Sequence, residues 1–575
     1  MKYLLFLIFS FSSISLSAQY RLVYLTAEPE GRALEGLNLS KSVDDSLQVY
    51  QAAQIAVSQL QSRGYLAAYW SDLTFEQKTA YVKIITGEKY EWVYLKPGNV
   101  EESLLSKSGY RDRFFRDKVF SYTEVADLFE SVISISENGG YPFANIRLDS
   151  MVIKDSKVAA SIAYEPGPLI RFDTLQLSGN TKTKRKFLSA YLSIKQGEPY
   201  DQRKVDQAAQ RLARLPYLRI QKVPEQSFQN SESTLYLAVD DRRINQIDGI
   251  IGLLPNELEE NKVLITGQFN LALYNLGGAG RNLNIAWQRL SQLSQNLNLL
   301  AEESNIFGSP VSLKANFFLL KEDSSFTNRN FRFDISYRPS AHARIGFFTS
   351  LRAANLLSTF QYREATELPD LVDFDLNQYG INYQLSYLDD DFNPFRGWQS
   401  EVEFAVGNKN IRRNTGIDAA LYEGVDLQTL QLNVHARLER FTPVSRRTTL
   451  LTRITGGFMA NDRLFVNDLY RVGGLKSIRG FNENFFFASE YALLNVESRF
   501  YFDEFSYFLV FFDQAYIKSD LKNRNFREYP FGTGLGISLS TAGGIFNFIY
   551  GLGKAEAQPF GLNYSKIHFG YISRF

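Results

Sequence analysis

The sequence contains no cysteine, which excludes disulfide bonds, cysteine-ligated metals and a lipid-modified N-terminal cysteine. It has only three histidines, His342, His435 and His568, and their scattered positions lack the spacing of a metal site. No nucleotide site or catalytic dyad is evident either, so we expect no enzyme activity, no metal and no cofactor. The formal net charge is only +1, without a basic stripe, which argues against a nucleic-acid partner.

Long apolar runs are also missing from most of the chain. Beyond the N-terminus no window reaches about 18 apolar residues, so no membrane helix is predicted there. At the N-terminus, an apolar stretch over residues 4–14 follows Lys2 and leads to small residues that end at Ala18. This pattern is typical of a secretory signal, so we expect residues 1–18 to be cleaved off after Ala18. An exported chain without a helical anchor is secreted, periplasmic or a membrane β-barrel.

Aromatic residues, by contrast, are abundant. The chain has 46 Phe and 33 Tyr, which supply most of its 14% aromatic content. Many aromatic residues without long apolar runs favour a barrel wall with aromatic girdles. On composition alone, a large soluble β protein rich in aromatic residues is the alternative.

The N-terminal part contains a recurring unit of helix, aromatic-bearing turn and two alternating strands. We divide this part into three units, namely 19–88, 89–167 and 168–241. The first two helices are predicted at 44–63 and 122–137, and each ends at a glycine. The equivalent glycines, Gly64 and Gly140, are 140 − 64 = 76 residues apart.

The third unit has the most specific pattern. It begins with a strand near 170–177 and has helices near 185–192 and 204–215. Its segments resemble a polypeptide-transport-associated (POTRA) domain at Leu177-Ser178-Gly179-Asn180-Thr181, Gly197-Glu198-Pro199-Tyr200 and Leu215-Pro216-Tyr217-Leu218. The resemblance implies a β-α-α-β-β fold, whose sheet edges can pair with an extended polypeptide. The second unit matches moderately and the first mainly by position, so generic α+β units remain the alternative for them.

From Ile244 onwards, short alternating runs separated by Gly, Asn, Asp and Ser clusters replace the helical periodicity. The segment 244–575 has 575 − 243 = 332 residues, enough for about sixteen membrane strands with their turns. The predicted fold class is therefore mixed: N-terminal α+β POTRA-like repeats followed by a C-terminal transmembrane antiparallel β-barrel.

Two segments near the C-terminus indicate which side chains of the barrel wall point to lipid and which point to the lumen. In 491–502 one face is apolar and the other carries Glu497, and in 507–517 the polar face carries Asp513. We expect the apolar faces to meet lipid and both carboxylates to face the lumen. The chain ends with Phe569, Gly570, Tyr571 and Phe575, which resemble the C-terminal β-signal of bacterial outer-membrane proteins. Ser573 stands where that signal has an aromatic residue.

A long loop is predicted between strands near 450–458 and 491–502. It contains Ile478-Arg479-Gly480-Phe481, which resembles the V/I-R-G-F motif of the BamA/TamA superfamily of outer-membrane assembly factors and exporters. The resemblance implies POTRA arms, a 16-stranded barrel and a loop folded back into it. It also implies that Arg479 meets acidic side chains on the next two strands, which Glu497 and Asp513 supply. Ala515 replaces a glycine of the family pattern after Asp513.

Three further segments resemble superfamily landmarks. They are a glycine-rich turn between early strands, an acidic Pro–Gly turn in mid-barrel and a glycine-rich strand near the end, at 275–281, 390–397 and 532–536. A phosphate-binding loop is the competing interpretation of the first segment, but no helical pattern follows it.

The resemblance implies an outer-membrane protein of a Gram-negative-type bacterium, closest in layout to the TamA branch. Its POTRA arm would bind unfolded β-barrel or passenger polypeptides in the periplasm, and periplasmic or inner-membrane accessory proteins are further candidate partners. A barrel seam beside the lipid bilayer would join the first strand, with Gly249 and Gly252, to the last strand. One alternative is a two-partner-secretion exporter, although such exporters typically have two POTRA domains and a plug helix. An outer-membrane enzyme or plain porin is the other alternative.

Overall fold

The structure is a computed structural model that describes residues 20–26, 32–255, 263–289, 294–522, 524–541 and 544–575. The predicted signal peptide with Ala18 lies outside these residues. The chain forms two compact units: one comprises Met1–Phe172, Gly197–Gln202 and Gln229–Ser233, and the other Asp173–Gln196, Arg203–Phe228 and Thr234–Phe575. No helix within the described ranges is both long and apolar enough to cross a membrane.

The N-terminal part contains thirteen described strands and five described α-helices. The strands are β1 Tyr20–Thr26, β2 Ser42–Val43, β3 Tyr69–Glu76, β4 Thr79–Ile85, β5 Glu91–Lys96, β6 Lys118–Val119, β7 Asn145–Lys154, β8 Lys157–Glu165, β9 Arg171–Phe172, β10 Gln176–Ser178, β11 Leu218–Ile220, β12 Glu225–Gln229 and β13 Glu232–Asp241. The helices are α1 Ser46–Ser62, α2 Glu102–Ser108, α3 Tyr122–Glu137, α4 Arg185–Leu192 and α5 Gln202–Ala213.

The first sheet has the strand order β2-β1-β4-β3, and α1 packs on it. The helix begins where the Asp45 side chain accepts a hydrogen bond from the Gln48 amide at 2.8 Å. It ends at Ser62, and Gly64, just beyond the C-cap, has a φ of +96° that favours glycine. Its small and aliphatic face, including Val49, Ala53 and Leu60, is completely buried, so α1 and the sheet share one core.

The second sheet has the order β6-β5-β8-β7 and is covered by α3, whose bounds are those predicted. Ser121 caps α3 by accepting a hydrogen bond from the Glu124 amide at 3.3 Å. Sequence analysis missed α2, a helix of seven residues that ends at Gly109 with a φ of +85°. Its helical pattern is too short to register as a periodic signal.

In the third predicted unit, β13 runs parallel to β10 and antiparallel to β11. The helix predicted at 185–192 is α4, and the one predicted near 204–215 begins two residues earlier. The single strand predicted near 170–177 is wrong, because the chain forms β9 and β10 with a break between them. At the break, the register against β13 changes by one residue. Phe172 pairs with Ser233, which is 233 − 172 = 61 positions later, whereas Gln176 pairs with Tyr236, which is 236 − 176 = 60 positions later.

The C-terminal part forms a closed antiparallel barrel. Its strands are β14 Gln246–Pro255, β15 Val263–Leu276, β16 Arg281–Arg289, β17 Gln295–Glu303, β18 Val311–Glu322, β19 Phe326–Tyr337, β20 Ala343–Leu356, β21 Asp373–Ser386, β22 Gly397–Arg412, β23 Gln428–Pro443, β24 Thr448–Ala460, β27 Glu490–Tyr501, β28 Tyr507–Leu521, β29 Arg524–Glu528, β30 Phe531–Ser540, β31 Ile545–Lys554 and β32 Lys566–Arg574. β25 Tyr470–Val472 and β26 Phe486–Ala488 pair with each other in a separate two-stranded sheet, which packs against β28 of the wall.

The wall has sixteen strands when β29 and β30 are counted as one interrupted strand. Both segments pair with β28, and Tyr529 and Pro530 separate them. The Pro530 carbonyl accepts a hydrogen bond from Ala515 at 2.9 Å, but proline has no amide hydrogen to continue the ladder. The predicted strand number is thereby confirmed.

Period-two alternation holds along the wall, as predicted. In β28, Phe508, Val510 and Phe512 are exposed on the outer face, while Asp513 is completely buried on the inner face. In β27, Glu497 is likewise buried. Since neighbouring residues of a strand point to opposite faces, local composition alone sets which side chains reach lipid.

The glycine-rich turn after β15 and the acidic turn after β21 contact parts of the third predicted unit that lie in the same compact unit. A Cβ atom on Gly278 would lie 2.1 Å from the Lys182 carbonyl oxygen, so only glycine fits there. Asp390 forms an ion pair of 2.8 Å with Arg242, and Asp391 forms one of 3.4 Å with Arg214. These contacts give both predicted landmarks a structural role.

Candidate functional site

The loop 461–489 between β24 and β27 carries the predicted motif, and its tip is buried. Ile478 and Phe481 are completely buried, and Arg479 is 6% exposed. Phe481 packs against Phe485 and Phe486, with ring centroids 5.5 and 5.0 Å away. Gly480 has a φ of +89°, which favours glycine.

Arg479 binds both predicted acidic partners. Its Nε and Nη2 atoms donate to the two carboxylate oxygens of Asp513 at 2.8 and 2.7 Å, and Nη1 donates to Glu497 at 2.5 Å. Its backbone amide also donates to Asp513, at 3.0 Å. The planar guanidinium matches the carboxylate of Asp513 with two parallel bonds, which lysine cannot reproduce. We call this cluster of Arg479, Glu497 and Asp513 the first anchor.

Neighbouring groups complete the charge balance of the first anchor. Arg499 donates to the second oxygen of Glu497 at 2.6 Å, so that carboxylate has two cationic partners. The Asn495 amide donates to Asp513 at 2.8 Å and to the Ser477 carbonyl at 2.8 Å. Burial of the guanidinium disfavours its charge, but the hydrogen bonds and charges of the two carboxylates outweigh burial and raise the pKa of Arg479.

An aromatic ring also contacts the arginine. The Arg479 guanidinium lies 3.7 Å from the centroid of the Phe511 ring, on the same strand as Asp513. A cation over an aromatic face gains electrostatic attraction, especially where water is excluded. The anchor therefore combines paired charge, hydrogen bonding and ring contact in one buried position.

Sequence analysis missed a glycine-lined groove on β30 and β31 that receives the loop tip. A Cβ atom at Gly532 would lie 1.9 Å from the Arg479 carbonyl oxygen, and one at Gly553 would lie 2.7 Å from the Gly480 carbonyl oxygen. Gln558 also donates to the Gly480 carbonyl at 2.9 Å. Each of the two glycines has another glycine two residues away on its own strand, at 534 and 551, and this spacing is visible in the sequence. Only the folded loop shows what approaches Gly532 and Gly553.

The seam between β14 and β32 is the second part of the site. Two residue pairs join the described backbones of these strands, Gln246 with Arg574 and Ile247 with Ser573, and the Phe575 amide donates to the Asn245 carbonyl at 3.0 Å. By comparison, β14 has ten residue pairs with β15, and β32 has seven with β31. The wall is therefore closed at the seam by a short ladder next to the arm-side end.

The predicted seam residues lie on these two strands. Phe569 and Phe575 are exposed on the outer face of β32, as their alternation predicts. Gly249 and Gly252 pair with β15 and lie beyond the part of β14 that pairs with β32. A Cβ atom at Gly570 would meet only Asn547, at 3.9 Å, so crowding does not explain this glycine.

Three structural features make up the candidate site. The arm presents sheet edges, the barrel presents a weakly paired seam, and a charged loop is fixed beside it. Among the described residues, no group of three or more His, Cys, Asp or Glu side chains has a metal-binding arrangement. The functional roles of the loop, seam and C-terminal residues stay predictions.

A closed sixteen-stranded barrel with an inward loop, preceded by α+β units, defines an outer-membrane β-barrel protein of Gram-negative type. The chain belongs to the Omp85 superfamily, because the Omp85 superfamily domain model matches residues 275–575. The surface antigen variable number repeat, a POTRA model, matches residues 170–242. Omp85 proteins act on polypeptide clients in the outer membrane. None of the curated proteins compared with the sequence matches it significantly.

Two solved structures with TM-scores above 0.5 share the fold at low sequence identity. CdiB from Escherichia coli is 13% identical with a TM-score of 0.55, and the alignment covers 92% of this chain and 97% of that one. CdiB from Acinetobacter baumannii is 12% identical with a TM-score of 0.55, covering 85% and 91%. BamA from Haemophilus ducreyi lacking POTRA domains 1–3 is 15% identical with a TM-score of 0.43, covering 84% and 100%.

Proposed function

We propose that this protein is an assembly factor that captures unfolded clients with its POTRA arm and passes them through the barrel seam into or across the outer membrane. The observation that carries this proposal is the seam, whose two residue pairs contrast with ten and seven at the adjacent wall contacts. Each ladder pair that is absent lowers the cost of separating the strands and leaves backbone groups able to pair with a client strand.

Strand length supports a lateral route through the same region. The seam strands β14 and β32 have ten and nine residues, whereas β22 and β23 across the wall have sixteen each. A shorter strand spans less of the hydrocarbon core, and the bilayer adapts by thinning locally. A client strand would therefore enter lipid where the membrane is already perturbed.

The arm offers an edge suited to capture. β7 is the terminal strand of its sheet, and Met151, Val152 and Ile153 on it are 54%, 62% and 49% exposed. Edge strands in soluble proteins are usually short or charged, because an apolar edge invites pairing with other chains. We assign this edge as the client-binding strand in the periplasm, by β-augmentation.

The test is to lock the seam. Since the chain has no cysteine, an Ile247→Cys/Ser573→Cys pair would form the only disulfide, joining register partners across the seam. We expect oxidised barrels to lose client assembly and to regain it on reduction. The matched control is Ile335→Cys/Phe347→Cys, a register pair on the outer face of β19 and β20. Its oxidation should leave assembly unchanged.

Two outcomes would contradict the proposal. If seam-locked barrels assemble clients as well as reduced ones, the lateral route is wrong. If locked barrels instead secrete one dedicated passenger through the lumen, the protein is an exporter. Profiling the outer membrane after depletion separates these functions, since an assembly factor affects several barrel proteins and an exporter affects one secreted protein.

A further inference from the structure

Apart from the first anchor, two ion pairs among the described residues join the loop 461–489 to the wall. One joins Arg471 to Glu322 of β18 at 2.6 Å, and the other is a buried pair on β22. Lys409 on β22 forms an ion pair with Asp468 of the loop, and both side chains are completely buried. The Lys409 ammonium lies 4.8 Å from the Phe374 ring centroid and 4.7 Å from that of Phe465, and it donates to the Arg463 carbonyl at 3.2 Å. A buried pair of this kind is costly unless its geometry and hydrogen bonds are good.

Further wall strands bind the same short stretch of loop. Arg352 on β20 donates to the Asp468 carbonyl at 3.1 Å, and Asn328 on β19 donates to the Asn467 carbonyl at 3.1 Å. The Asn467 side chain donates to the Val372 carbonyl at 2.8 Å. We call Asn467 and Asp468, with these wall partners, the second anchor.

The two anchors lie on separate parts of the wall. Counted from the seam, the second anchor uses wall strands six, seven and nine, which carry Asn328, Arg352 and Lys409. The first anchor uses strands twelve and thirteen, which carry Glu497 and Asp513, so three to seven strands separate the two anchors. The anchors are 479 − 468 = 11 residues apart, and 11 extended residues reach at most about 40 Å.

We propose that the Lys409–Asp468 pair positions the loop as a strut across the lumen, so that the lumen stays closed and polypeptide leaves through the seam. The inference deepens the proposed function by specifying the client's route. A loop held only at its tip could move away from β20 and β22, whereas two buried anchors on separate parts of the wall fix it. Releasing the second anchor should therefore open the lumen even though the first anchor is intact.

The test is ion conductance of the purified full-length protein in planar lipid bilayers, without clients. Lys409→Met leaves the Asp468 carboxylate buried without its cation, and we expect the open-channel frequency to rise at least about tenfold. Lys409→Met combined with Asp468→Leu replaces the pair by apolar side chains, which commonly restores stability. This double variant should return conductance to the wild-type level, a rescue that a general defect in the barrel would not show.

The matched control is Arg344→Met. Arg344 on β20 forms a 3.2 Å ion pair with Glu302 on β17, so both partners belong to the wall and its loss should not change conductance. Unchanged conductance of folded Lys409→Met barrels would overturn the proposal.

If Lys409→Met does not fold, the test is made by adding Asn467→Ala to the double variant Lys409→Met/Asp468→Leu and measuring conductance. The added change removes the hydrogen bond to Val372, and conductance must then rise; no rise overturns the strut. Because no client is present, the result is independent of whether the protein assembles clients. A raised conductance with normal client assembly supports the strut and refutes the proposed role of a closed lumen in assembly.

Discussion

Replacement of Arg479 by alanine offers a quantitative test of the first anchor. The change removes the three hydrogen bonds that the guanidinium donates to the carboxylates of Glu497 and Asp513. If the loop then leaves the wall, the hydrogen bond from the backbone amide of residue 479 to Asp513 is also lost. Glu497 keeps Arg499 as a partner, so the uncompensated charge is that of Asp513, which is completely buried. Breaking a buried pair on one side costs roughly 3–5 kcal/mol.

The assay uses the absence of cysteine. Ile478→Cys introduces a single thiol at a completely buried position beside Arg479, so a membrane-impermeant maleimide reacts only when the loop leaves the wall. A cost of 3–5 kcal/mol multiplies the undocked population by roughly a hundred to a few thousand. We expect the labelling rate of the Arg479→Ala variant to rise by that factor, up to the rate of a fully exposed thiol.

Two further variants separate buried charge from simple loss of packing. Arg479→Ala with Asp513→Leu removes the orphaned carboxylate, so labelling should fall below that of Arg479→Ala alone. Arg446→Ala is the control, because Arg446 is exposed in an arm-side turn. Labelling of folded Arg479→Ala at the wild-type rate would refute the reasoning that this arginine holds the loop.

Two other predictions concern the groove and the acidic turn. In Gly553→Leu, the new Cβ atom would lie 2.7 Å from the Gly480 carbonyl oxygen, so the loop tip cannot dock. We expect faster maleimide labelling of the Ile478→Cys thiol and reduced client assembly. Gly570→Ala, whose Cβ atom would lie 3.9 Å from its nearest neighbour, should change neither. Burial opposes ionisation of Asp390, but the backbone amides of its turn and Arg242 outweigh burial and lower its pKa. Its contribution to stability is then complete above the ordinary aspartate pKa of about 3.9 and lost as pH falls through the lower folded value. In the wild type, the backbone amides of the turn should therefore exchange hydrogen slowly down to below about pH 4, the ordinary value. The Asp390→Asn variant should lose this pH dependence. Equal pH dependence in both proteins would contradict the role given to the Asp390 carboxylate.

Local patterns in the sequence predicted the wall and much of the arm. The alternation in 491–502 and 507–517 correctly placed Glu497 and Asp513 inside, because neighbouring strand residues point to opposite faces. The bounds predicted for α3 were correct, since its apolar periodicity and terminal glycines are both local signals. The strand predicted at 170–177 was wrong because its break arises from register against β13, which lies about sixty residues later.

Some contacts of the loop motif could be predicted from the sequence, and others could not. Resemblance to a superfamily paired Arg479 with Glu497 and Asp513, and the structure places all three together. Neither the motif nor the residue pattern indicated that Gly532 and Gly553 receive the loop backbone. Lys409 and Asp468 were also missed, because a lysine in a wall strand and an aspartate in a polar loop are unremarkable until the loop folds inward.

What the sequence by itself determined is therefore everything that depends on neighbours along the chain: helix limits, the inward and outward faces of strands, and the approximate strand number. The tertiary structure alone decided how few residues pair at the seam, which glycines receive the loop tip, and which wall residues hold the second anchor. Those features depend on ring closure and register between strands far apart in sequence. A period of two residues sets the face of a side chain, but it carries no information about the partner across the lumen.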